Sequence, residues 1–382
     1  MVNSAAGLTA ALQSAVGGET IALASGAYGV FAISNKTYSS TVFVRPQVGA
    51  TPVFKRFDVI SCKKMQISGL SILPRVMNGD AVGRAVSLSG EDIVFEKSMI
   101  SFVDNSDSWS AQDWLQYSFD GLSVNGNRMI VRENLIYNTA FALTSFATNS
   151  LISKNKIKGF RGDGMRGLGD YTSFEYNDVR NCVQVDGNHA DGFQSWSVGT
   201  DGRVGTGSVV GVNLIGNTFI DNENMSNPLK CQLQAIGLFD GMYVDWVVEN
   251  NLIITDDWHG ISFYGSVNAI IANNTVIDHD FSNDVRPGII ITAHTNGTPS
   301  VGGIIRNNIS YSVSPGAGTT SDHNLIVNDA SLATVFVDPA NLSFKLKAGS
   351  PAIDAGTTLT APAFDLLGLP RSIPNDLGAY NF

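Results

Sequence analysis

The chain has 382 residues, 43% of them hydrophobic and only 15% charged, with 39 glycines and a net charge of −10. No basic run or stripe offers a nucleic-acid footprint, and no apolar stretch reaches the roughly 18 residues that a membrane-spanning helix needs. Low charge with abundant Asn, Ser, Thr and Gly describes instead a long core under a neutral, polar surface rich in tight turns.

The opening MVNSAAGLTAAL lacks the basic and long apolar regions of a signal peptide. Two routes to an extracellular place remain: secretion after a removed signal, or release as a phage-associated protein. Residues 4–16 read as one amphipathic helix, with Ser4 as N-cap and Leu8 and Leu12 on one face. Residues 1–17 then form a cap over a first coil begun by ETIALASGAYG.

Residues 18–320 read as a repeat. DGLSVNGNRMIVRENLI, DGMRGLGDYTSFEYNDV, AIGLFDGMYVDWVVENNLII and HGISFYGSVNAIIANNTVI share one layout: a small turn, an apolar alternation, a short link, a second alternation, then Asn. The segments around DGFQSWSV and GIIITAHT follow it with insertions, and ALTSFATNSLISKNKI follows it more weakly. Asn134, Asn155, Asn177, Asn217, Asn250, Asn273 and Asn307 close successive units, about 22 residues apart or that plus an insertion. Each unit is one coil of short strands pairing with the coils above and below, and the Asn column reads as an internal ladder at an αL turn. A propeller or sandwich would place Asn-Gly hairpin turns between strands; here Gly precedes the alternation and Asn follows it. The expected fold is therefore an all-β, single-stranded right-handed parallel β-helix with an N-terminal capping helix. Residues 321–382, containing SFKLKAGSPAIDAG and LGAYNF, form an irregular closing segment of the same structural domain. Cys62, Cys182 and Cys231 follow no metal-ligand spacing; they read as buried thiols, with room for one disulfide and one thiol over.

Superposing the repeats builds columns on one outward face. The first holds Asp120, Asp163, Asp191, Gln234, His259 and Pro287; the second Ser123, Arg166, Gln194, Gly237, Ser262 and Ile290; the third Leu168, Trp196, Phe239 and Tyr264. Asp163 and Asp191, one coil apart, can supply the two carboxyl groups of glycoside hydrolysis, with mutual repulsion keeping one protonated; as Asp-Gly pairs they equally suit turns, and Asp120 reads as a turn residue. His259 can act as base or orient a substrate. His189, two residues before Asp191, points the same way along its strand. Asp256 and Asp257 can serve as acid and base or as a solvated turn. Arg166 suits a glycan carboxylate, Lys230 and Arg161 add charge nearby, and Trp196 and Tyr264 offer stacking platforms. No cofactor is required, although Asp-rich coils leave Ca²⁺ open.

The entry GGETIALASGAYGVFAIS and the exit LKAGSPAIDAG…LGAY resemble those of the pectin-lyase-like β-helix superfamily, which includes polysaccharide lyases, polygalacturonase-type hydrolases and phage depolymerases. NHADGF (188–193) resembles the hydrolases' NTDG, and DDWHGISFYGS (256–266) their DD and GHG…GS elements. Their RIK element and the lyases' Lys and Arg strings are missing. The resemblance implies a polysaccharide substrate and either a monomer or a homotrimer. Three functions stand open: an endo-acting hydrolase with paired Asp as the simplest, a lyase acting by β-elimination on a uronic-acid glycan, and a non-catalytic glycan-binding spike or adhesin.

Overall fold

The computed structural model describes every residue except 81–82 and 282–283. It divides into two compact units, Met1–Thr172 with Val183–Asn188, and Ser173–Cys182 with His189–Phe382. Both are built as right-handed parallel β-helix. Among the described residues no helix is long and apolar enough to cross a membrane.

The first unit opens with a helix over Ala5–Ser14, whose N-cap Ser4 accepts the Gly7 N–H at 3.2 Å. Leu8 and Leu12 are buried on its inner face, as the sequence pattern requires. Short strands then stack in parallel: Phe31 pairs with Phe57, Phe57 with Val86, Val86 with Leu122, Leu122 with Leu143 and Leu143 with Met165. All six are buried. Period-2 alternation turns every second side chain inward, so equivalent apolar positions in successive coils fall into one dry column.

Three such columns line the second unit. Phe193, Ile236, Ile261 and Ile289 form one; Phe174, Leu214, Val248, Ile271 and Ile305 the next; Val179, Phe219, Ile253 and Val276 the third. Parallel pairing continues into Leu325–Ile326. The chain then packs along the outer side of these coils, where Leu332, Val335, Phe336, Phe344 and Leu377 meet Ile254, Ile277 and Ile309.

The Asn ladder is present, but three of its expected members are displaced by one residue. In the second unit the rungs are Asn177, Asn217, Asn251, Asn274, Asn308 and Asn324, each after the first taking the backbone and amide N–H of the rung before it at 2.8–3.1 Å. In the first unit Asn134 bonds Asn155 in the same way. Asn250, Asn273 and Asn307 stand just before a rung in the left-handed region, with φ of 57°, 54° and 57°. Their amides hold the closing segment instead, donating to Phe364 O, Asp376 O and Thr357 O at 2.6, 3.0 and 2.8 Å. The turn and the ladder are thus the work of two adjacent residues.

Two of the three cysteines are joined, Cys182 to Cys231, while Cys62 is a buried thiol.

Candidate active site

The second unit carries a group of chemically able side chains on its outward strand face. Ala190–Trp196 pairs with Leu233–Asp240, setting Asp191 beside Gln234 and Gln194 beside Gly237. Leu233–Asp240 pairs with His259–Tyr264, setting Gly237 beside Ser262. The same register brings His259 into line with Gln234. His259 in turn pairs with Gly288 across a bulge, so Gly288 takes the place expected for Pro287. The second column runs through Gln194, Gly237, Ser262 and Ile290 as expected.

Asp191 has no exposed surface. Gln194 Nε2 donates to its Oδ2 at 3.2 Å, and the mostly exposed His189 places Nδ1 3.5 Å from the same oxygen. Room for the carboxylate exists because residue 237 is glycine: a β-carbon there would lie 2.3 Å from Asp191 Oδ1 and 2.6 Å from the Phe239 ring.

His259 lies against Trp258 and Phe239, with ring centroids 3.6 and 4.8 Å away, and Tyr264 stands at 6.1 Å. Its Nδ1 meets Ser262 Oγ at 2.7 Å, its backbone N–H donates to Asp257 Oδ1 at 2.7 Å, and no described residue bonds Nε2. Burial, with His189 adding a smaller push, drives the His259 pKa down to about 4, so the imidazole is neutral at ordinary pH. Burial also raises the Tyr264 phenol and the Asp257 carboxyl. Asp257, expected as acid or base, spends Oδ1 capping the strand that carries His259.

Four other expected site residues are engaged elsewhere or displaced. Asp163 and Arg166 belong to the first unit and form an ion pair with each other, with the Arg166 guanidinium 3.6 Å above the Phe141 ring. Asp163 is a buried counter-ion, because an arginine three residues on reaches back to it. The column there also contains Thr144, between Ser123 and Arg166. Trp196 follows a bulge after Ser195 and pairs with Asp240, one step out of the Phe239–Tyr264 line. Lys230 is ion-paired to Asp280.

That lysine adjoins an acidic group of which only Asp256 was expected from the sequence. Asp221, Asp256 and Asp278 are buried at the ends of Thr218–Ile220, Leu252–Ile254 and Thr275–Ile277. Asp221 Oδ2 accepts the Asp256 N–H at 3.1 Å. Burial raises all three carboxyls, Asp256 to about 6. The signal was there to find in FIDN, IITDD and VIDHD, which repeat an acid just past the same strand. Among the described residues no three His, Cys, Asp or Glu side chains are grouped as metal ligands.

The coil stack has counterparts of known structure. Two mannuronan C-5 epimerase A-modules of Azotobacter vinelandii superpose on it. That of AlgE4 is 13% identical, with a TM-score of 0.52, over 86% of this chain and 95% of its own. That of AlgE6 is 12% identical, with a TM-score of 0.53, over 85% and 95%. The pectate lyase Pel9A aligns at 15% identity and a TM-score of 0.44, over 97% and 90%. At such identity the likeness is one of fold. No protein-family model and no curated protein matches the sequence.

Proposed function

We propose that this protein is a polysaccharide-cleaving enzyme that acts on a uronic-acid glycan by β-elimination. The observation that carries the reading is His259: a neutral imidazole with Nε2 unbonded, fixed by Ser262, on an aromatic-lined face. A general base needs a free lone pair at the working pH, and burial supplies it. In this reading Nε2 takes the C5 proton of a uronate. The released electron pair forms the C4–C5 double bond as the bond from C4 to the glycosidic oxygen breaks. The Tyr264 phenol, kept protonated by its burial, stands within reach to return a proton to that oxygen. The Gln194 and Gln234 amides and the exposed His189 edge can take the substrate carboxylate, with Asp191 holding Gln194 and His189 in place. Trp258 and Phe239 offer flat faces to sugar rings.

Hydrolysis is the weaker reading. It needs two carboxyl groups roughly 5–9.5 Å apart, and the position next to Asp191 in the adjoining coil is Gln234, an amide. Asp163, the partner expected from the sequence, is neutralised by Arg166. The Cys182–Cys231 disulfide supports an oxidising, extracellular location. The test is a panel of acidic polysaccharides followed by viscosity and ultraviolet absorbance. Falling viscosity with an absorbing, unsaturated product supports β-elimination. Falling viscosity without it supports hydrolysis, and no change on any uronate polymer sinks the proposal.

A further inference from the structure

The closing segment carries an apolar knob on the second unit. Leu359, Phe364, Leu367, Leu369 and Ile373 are each more than half exposed. Five of the 22 large hydrophobic residues that the described chain leaves open thus fall within residues 359–373. Single exposed leucines are ordinary, whereas a cluster marks a contact surface. Most of the cluster sits in one small hairpin. Phe364 and Pro370 form an antiparallel bridge, the Asp365 N–H donates to Leu369 O at 2.8 Å, and the Arg371 N–H to Ala363 O at 3.1 Å. The hairpin is held still from within. Asp365 has no exposed surface, and its Oδ1 accepts the N–H groups of Leu367 and Leu369 at 2.9 and 2.8 Å while Oδ2 accepts that of Asn381 at 3.0 Å. Phe364 O and Arg371 Nη2 bind the hairpin to Asn250 of the coil beneath. A loop whose buried carboxylate fixes the backbone of exposed leucines is pre-organised, so little freedom is lost when it is covered.

The knob is also uncharged on its outside. Between Asp354 and Asn375 the charged side chains are the buried Asp365 and Arg371, which donates to Asn250 Oδ1 and Gly378 O. Four of the five apolar residues are aliphatic, with neither donors for an acidic glycan nor flat faces for sugar rings. A chain of net charge −10 repels its own copies, and it meets one at least cost where neither surface bears charge. Five such side chains at this exposure open on the order of 500 Å². The exposed Ala363, Gly368, Pro370 and Pro374 among them bring the surface toward the roughly 800 Å² per partner of a standard interface.

We propose that the hairpin around Phe364–Pro370, with Leu359 and Ile373 beside it, is the interface through which two copies of this chain pair. A two-fold axis sets the patch against itself, apolar on apolar, with charge kept out of the centre as protein interfaces require. The pairing stands whether or not the catalytic reading holds.

The test is sedimentation equilibrium of the full chain over about 1–100 µM. The wild type should reach twice the chain mass within that range. Leu367→Asp with Leu369→Asp should weaken association at least about 100-fold, because each copy would bury unpaired charge. Only the backbone of these two residues bonds Asp365, so the urea midpoint should stay near that of the wild type. Ile373→Asp should weaken pairing in the same sense from outside the hairpin. Val198→Asp with Val204→Asp, two exposed apolar positions elsewhere in the unit, should leave it unchanged. A wild type that stays monomeric, a trimer, or a dimer that survives both interface variants overturns the proposal. A monomer that instead floats with phosphatidylcholine vesicles overturns it in favour of a lipid surface.

Discussion

Replacing Asn251 with alanine removes one rung from the middle of the second unit's ladder. Its Oδ1 accepts the Asn217 backbone and amide N–H groups at 2.8 and 3.1 Å. Its Nδ2 donates to Leu214 O and Asn274 Oδ1, both at 2.9 Å. All of this lies in a fully buried position. Four hydrogen bonds at about 1 kcal/mol net each give about 4 kcal/mol. The stranded Asn217 N–H groups, with no water to replace their partner, push the cost upward. Asn250→Ala, one residue earlier, loses two part-buried bonds, to Phe364 O at 2.6 Å and from Arg371 Nη2 at 2.5 Å, and places alanine at φ 57°; water can replace part of both, and the cost is about 2–4 kcal/mol. Urea titrations followed by tryptophan fluorescence read the difference as a shift in midpoint at constant slope. The expected order is Asn251→Ala below Asn250→Ala below wild type, since the four Asn251 bonds are buried and the two Asn250 bonds are part-buried. Equal midpoints for the two variants, or the reverse order, would refute the assignment of ladder and turn to different residues.

The remaining expectations concern the site and its frame. His259 should stay unprotonated well below the usual histidine pKa, so kcat/KM should lose its acid limb near pH 4 rather than near 6.5. The sign for stability follows: the unfolded chain takes up this proton near 6.5 and the folded one near 4, so this group's contribution is intact above 6.5. It is lost as pH falls from 6.5 to 4, at about 1.4 kcal/mol per unit; His259→Asn should flatten that part of the profile. Gly237→Ala should cost about 1–3 kcal/mol from overpacking and lower turnover by about 10²-fold through displacement of Asp191, with a crystal structure showing the carboxylate moved; unchanged kinetics would separate Asp191 from the chemistry. Cys182→Ser with Cys231→Ser should lower stability by about 4 kcal/mol, the chain-entropy value for a sequence separation of 49, read as a fall in Tm absent from Cys62→Ser.

Much of the fold is legible in the sequence because a solenoid writes the same physical requirement once per coil. Apolar alternation, a turn residue and a buried amide recur at a fixed spacing, and the helix at 5–14 announces itself by Ser4, Leu8 and Leu12. The register of Gln194, Gly237 and Ser262 follows from that spacing alone. What the pattern cannot carry is any choice between neighbours with the same side chain. At Asn250–Asn251, Asn273–Asn274 and Asn307–Asn308 the first amide is needed by a distant closing segment, and only packing says which residue does what. The site was less legible. A bulge after Ser195 moves Trp196 by one step, and bulges leave no mark in an apolar alternation. Asp163 and Lys230 are claimed by Arg166 and Asp280, a competition among charges that one-dimensional columns do not contain. The burial that keeps His259 neutral comes from Trp258 and Phe239 closing over it, one adjacent in sequence and one a coil away.

The most direct measurement is the initial rate at which an unsaturated uronate product forms from the preferred acidic glycan, for wild type and His259→Asn side by side. A base held neutral at Nε2 predicts an absorbing product from the wild type and a loss of about 10²–10⁴-fold in the variant, with the urea midpoint near neutral pH little changed. Cleavage by the variant at the wild-type rate, or chain shortening by the wild type with no absorbing product, contradicts it.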